Sequence, residues 1–248
     1  MSLIWNGVAR TCRHRGAAFA ASAIALSVEA FAQGTGTVAS PSIRAGSSIS
    51  FATGIAHDEG EDGFAQRIDY QSSVRENWRL RGIVSFNDRG GEFRYRRLEL
   101  EAMHQFASSQ NGWDSAIQVR GRLPDGNDGP ERVRVAWLNR WRPVDGPEFR
   151  AIALASREFG NDRDAGLALE SRFEATWRLP SGNRVGAQMF NRYNTTSDFG
   201  SFDEQRHSIG GVLKGSFNKE VSYRVNALAG VSDAAADFEL RFRLRFKL

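Results

Sequence analysis

The chain has 248 residues, a net charge of +4 and a pI near 9.6. Nearly all of its 33 basic residues are arginine, with lysine only at Lys214, Lys219 and Lys247, and its one cysteine is Cys12. These values exclude a disulfide framework and a cysteine-based zinc site. No segment reaches the roughly 18 consecutive apolar residues of a membrane-spanning helix.

Residues 1–32 read as a secretory signal peptide. Arg10, Arg13 and Arg15 form a basic start, Gly16 to Val28 is a short apolar run, and Ala30-Phe31-Ala32 is a small-residue cleavage site before Gln33. Cys12 precedes the apolar run, so it is not placed for lipoprotein-type acylation. Residues 33–46 follow as a polar leader rich in Gly, Ser and Thr, expected to be flexible and periplasmic.

From Ser47 onward the pattern changes to alternating segments of about ten residues separated by turn residues, with no helical period. Twelve strands are predicted, at 47–57, 63–74, 76–87, 93–106, 113–123, 131–142, 148–158, 165–179, 183–194, 205–217, 220–231 and 237–248, with ten or fourteen as alternatives. In the sixth, Val133, Val135, Trp137 and Trp141 alternate with Arg132, Arg134, Arg140 and Arg142. The fourth breaks phase between Tyr95 and Leu98, which predicts a β-bulge. In the last, FELRFRLRFKL, Phe238, Leu240, Phe242, Leu244, Phe246 and Leu248 alternate with Glu239, Arg241, Arg243, Arg245 and Lys247. A period of two places these sets on opposite faces of one strand.

An apolar face backed by a row of cations suits a barrel with lipid outside and water inside. Residues Phe242, Leu244, Phe246 and Leu248 resemble the C-terminal signal by which bacterial outer-membrane barrels are recognised for assembly, although that signal usually ends in Phe. The resemblance is to the porin-like class as a whole. It implies an all-β, closed, antiparallel up-and-down transmembrane barrel over 47–248 in the outer membrane of a Gram-negative envelope. It also implies contact with lipid and lipopolysaccharide, and folding by the barrel-assembly machinery.

An even strand count leaves both termini on the periplasmic side. The odd connections then face outward, and they hold well over half of the chain's carboxylates against two arginines, Arg89 and Arg163. Trp78, Trp113, Trp141 and Trp177 all fall near the periplasmic ends of their strands, as an aromatic girdle requires.

The same phasing sends a set of arginines inward: Arg79, Arg81, Arg120, Arg122, Arg132, Arg134, Arg140, Arg172, Arg224, Arg241, Arg243 and Arg245. The carboxylates predicted to share that face are Glu99, Glu101, Glu170, Glu174 and Glu239. Guanidinium keeps its charge and binds carboxylate or phosphate through two donors. A net-cationic, wet interior would draw small anionic solutes through a passive channel. The competing reading is an interior closed by Arg–Glu pairing, since no connection is long enough to act as an obvious plug. A lipid hydrolase finds little support, because His207 and Ser208 are adjacent and point to opposite faces of a strand. Nothing in the motifs calls for a cofactor or metal. The arginines interleave with apolar groups rather than forming an exposed patch, so nucleic acid is not an expected partner.

Overall fold

A computed structural model of the chain describes residues 35–89, 92–126, 129–161 and 163–248. The expected signal peptide and the first residues of the leader lie outside this range.

The described chain forms twelve strands: β1 (Ser47–Asp58), β2 (Glu61–Arg75), β3 (Trp78–Arg89), β4 (Glu92–Ser108), β5 (Trp113–Pro124), β6 (Glu131–Trp141), β7 (Glu148–Phe159), β8 (Ala168–Arg178), β9 (Arg184–Thr195), β10 (Arg206–Ser216), β11 (Val221–Gly230) and β12 (Phe238–Lys247). Each pairs antiparallel with its sequence neighbours, and β1 pairs with β12, so the sheet is a closed barrel. The seam is continuous from Ser48↔Lys247 to His57↔Phe238. Closure leaves no unpaired backbone edge for lipid to meet. No helix of the described residues is long and apolar enough to cross a membrane.

Period-two patterning decides which side each residue takes. Phe51, Leu100, Val135 and Phe242 are among the exposed large apolar residues, while Arg81, Glu99, Glu101, Arg132 and Arg241 from the same wall are buried. A soluble protein would show the reverse arrangement, and lipid outside accounts for this one. The phase break in β4 is a bulge: Ser85 pairs with Arg97 and Phe86 with Tyr95, so Arg96 is the extra residue. Without it the inward positions Glu99 and Glu101 would face lipid.

The predicted tryptophans sit at one end of the barrel. Trp113 pairs directly with Trp141, which stacks on Phe149 at 5.6 Å, and Trp78 stacks on His104 at 4.6 Å. That end also carries Gly46, whose carbonyl accepts from Ser73, and Leu248, whose amide donates to Ser47. At the opposite end the β1–β2 turn places Glu59 at φ 48° and Gly60 at φ 86°. Two successive positive φ values match the right-handed twist of a two-residue hairpin.

The leader is located differently from expectation. Thr35 to Gly46 does not hang below the barrel but runs up its interior, with Thr35, Val38 and Pro41 buried. Val38 belongs to an apolar cluster with Met103, Ala116, Leu138, Ile152, Leu154, Phe190 and Leu228, all on the inner wall, with Ala39 and Ile43 packed against it. These inward apolar residues interrupt the charged lining along one strip, and the leader covers that strip.

The apolar outer band predicts a position-dependent cost for charge. Phe242→Arg, in the middle of β12, should destabilise the folded barrel by about 2–4 kcal/mol, whereas Phe217→Arg in an end turn should cost about 1 kcal/mol or less. Urea unfolding midpoints in lipid vesicles measure the difference.

Candidate lumenal site

All seventeen predicted lumen residues face inward. Their side chains form clusters of ion pairs on either side of the apolar strip. Glu101 lies 3.3 Å from Arg79, 3.8 Å from Arg81 and 2.6 Å from Arg120. Glu99 is shared by Arg97 at 3.5 Å, Arg120 at 3.5 Å and Arg122 at 3.8 Å. Glu170 receives Arg134 at 3.0 Å and Arg172 at 2.8 Å. Glu174 receives Lys214 at 2.7 Å, Arg150 at 3.7 Å and Arg224 in close contact. Glu239 is bound by Arg241 of its own strand, whose Nε donates at 3.0 Å.

Several members of this lining escaped the sequence reading. Asp69 pairs with Arg81 at 2.8 Å and lies 3.7 Å from both Arg67 and Arg243. Asp114 pairs with Arg140, and Glu158 with Arg132. Glu148 binds Arg150 at 2.7 Å. Asp114, Glu148 and Glu158 lie at strand ends, where alternation is short, whereas Asp69 lies in the middle of β2. Arg245, at the tryptophan end, donates Nε to Ser48 at 3.0 Å across the β1–β12 seam.

Cations outnumber carboxylates on the described inner wall: Glu99, Glu101, Glu170 and Glu174 are each shared by two or three cations, whereas Asp114, Glu158 and Glu239 each pair with one. Arg67, at 3.7 Å from Asp69, is held loosely, and so are two further guanidiniums. Arg122 reaches Glu99 only at 3.8 Å and Arg243 reaches Asp69 only at 3.7 Å, ion-pair distances that fall outside hydrogen-bond length. They lie at different heights, Arg122 among Arg97, Arg132 and Arg134, and Arg243 among Arg79, Arg81 and Arg245. Both belong to a cationic column that continues past Arg245 to Arg142, Arg178 and Arg184 at the tryptophan end.

Free space along this column narrows inward. A cavity of about 610 Å³ opens at the tryptophan end beside Arg142, Arg178 and Arg184. One of about 330 Å³ follows beside Val38, Ser40 and Ser42, and one of about 80 Å³ lies beside Thr35, Gly36 and Thr37. The leader lines all three, through Arg44 in the widest and through Thr37 and Ala39 in both smaller ones.

The His207 surroundings separate it from any nucleophile. Ile209, two residues on, is exposed on the outer face, and His207 takes that same face, whereas Ser208 shares parity with lumenal Val212. The His207 Nδ1 bonds Asn191 Oδ1 at 2.9 Å and Nε2 bonds Gln205 Oε1 at 3.0 Å. Phe202 stacks over the ring at 4.5 Å. Both ring nitrogens are thus engaged by amides, and the ring is capped by the 196–205 connection.

No family model and no curated protein matches the sequence. Solved structures do match in shape. A COG4313 outer-membrane channel from Pseudomonas putida F1 superposes with a TM-score of 0.66 at 7% identity, covering 86% of this chain and all of that one. The fold is that of an outer-membrane channel. The NanC porin gives 0.60 at 11% identity over 81% of this chain and 100% of its own, and the KdgM porin 0.58 at 10% over 81% and 99%. At these identities the likeness is one of fold, and the inner lining must be read from this chain's own residues.

The shared carboxylates predict a stability effect. Glu101→Gln or Glu174→Gln, each removing a fully buried charge shared by three cations, should destabilise the barrel by about 3–5 kcal/mol. Denaturant midpoints should show the loss, and raising the ionic strength should recover part of it.

Proposed function

We propose that the protein is a passive outer-membrane channel for small anionic solutes, with the inward arginines supplying attraction and selectivity. The observation that carries this reading is the imbalance of the inner wall. Cations outnumber carboxylates there, Glu99, Glu101, Glu170 and Glu174 are each shared among two or three of them, and Arg122 and Arg243 keep donors that no carboxylate engages closely. A narrow, low-dielectric tube whose lining carries an excess of one sign of charge concentrates the opposite ion. A solved KdgM porin contains disordered oligogalacturonate, a carboxylate-rich chain, which fits the solute class favoured here. On this reading the acidic connections face the outer leaflet and its lipopolysaccharide, and the alternating residues of β12 serve the barrel-assembly machinery.

A second reading, a closed structural barrel, draws support from the ionic pairing and from the leader inside the lumen. Single-channel recording of the refolded chain under a salt gradient separates the two. Conductance steps with anion preference, shifted toward cations by Arg132→Glu, Arg134→Glu and Arg243→Glu, are the expected outcome. A folded barrel that passes no current would favour the closed reading.

A further inference from the structure

Gly36 to Val38 is held from two sides. On one side guanidiniums from four strands converge on its backbone. Arg241 of β12 donates Nη1 to the Gly36 carbonyl at 3.1 Å, and Arg172 of β8 donates to that of Thr37 at 3.3 Å. Arg150 of β7 and Arg224 of β11 both donate to that of Val38 at 3.4 Å. On the other side the Val38 side chain fills an apolar floor of Ile152, Leu154 and Phe190. Phe190 joins the two halves, because Arg241 and Arg172 lie 4.7 Å and 5.7 Å from its ring centre.

The occupant is chemically weaker than the site. Peptide carbonyls are neutral acceptors, whereas guanidinium bonds to an ionised acceptor are roughly twice as strong. Three cations, Arg150, Arg224 and Lys214, share only Glu148 and Glu174, so charge remains for an anion to meet. The apolar floor equally favours a ligand with a hydrocarbon body.

We propose that this seat is a binding site for small carboxylates bearing an apolar body, and that the leader occupies it until such a solute displaces it. The inference rests on the channel reading and adds a solute class and a gate. The incoming carboxylate takes the guanidiniums from the carbonyls of Gly36, Thr37 and Val38, its body replaces the Val38 side chain, and the narrowest part of the lumen widens.

The test uses Val38→Cys in a full chain whose one native cysteine, Cys12, is replaced, refolded in vesicles and treated with a water-soluble maleimide. Labelling should be slow in chloride and about tenfold faster in benzoate at equal ionic strength, a gain equivalent to a tenfold shift in the docking equilibrium. Arg172→Met with Arg241→Met should label quickly in either salt. Labelling that is fast in chloride, or unchanged by benzoate, overturns the proposal. Thr37→Cys provides the same reading if Val38→Cys fails to fold. Conductance of a chain lacking residues 35–42 keeps the two ideas apart. Anion-selective current with benzoate-indifferent labelling removes the gate and leaves the channel, while benzoate-dependent labelling without current removes the channel.

Discussion

Everything in this molecule follows from the rule that backbone polar groups in lipid must be satisfied within the protein. The β1–β12 seam, paired over ten residues of each strand, meets that rule. Once the sheet is closed, the choice of face at each residue is binary. The side that sees lipid must be apolar, and charged residues have only the interior to occupy. The cationic lumen is therefore a consequence of closure combined with an arginine-rich sequence.

Inside, burial against the crowded wall governs charge. Arginines crowd around Glu99, Glu101, Glu170 and Glu174 because each isolated guanidinium would lose solvation without compensation. Sharing one carboxylate among several cations satisfies each in part and leaves a positive remainder. The leader enters this economy as a supplier of acceptors: its carbonyls meet donors left over by the carboxylates, and Val38 covers the strip where the lining turns apolar.

Much of the barrel could be read from the sequence because its information is local. Alternation over ten residues sets a strand, fixes its faces and even exposes the bulge at Arg96, which shows as a slip between Tyr95 and Leu98. The inward placement of Arg132, Arg134, Arg241 and Arg243 follows from the same count. The leader has no such period. Its partners are remote, Arg241 lying 205 residues from Gly36 and Arg172 135 residues from Thr37. One signal was available: Met103, Leu138, Ile152, Leu154 and Phe190 occupy positions whose parity puts them inside a wet lumen, where apolar groups need a cover. Val38 and Ile43, isolated in a polar segment, were the matching half.

Arg241 ties the two ends of the described sequence together. It sits on β12, yet it holds Gly36, which precedes β1. The first described residues and the last strand therefore share one hydrogen-bonded position inside the closed wall.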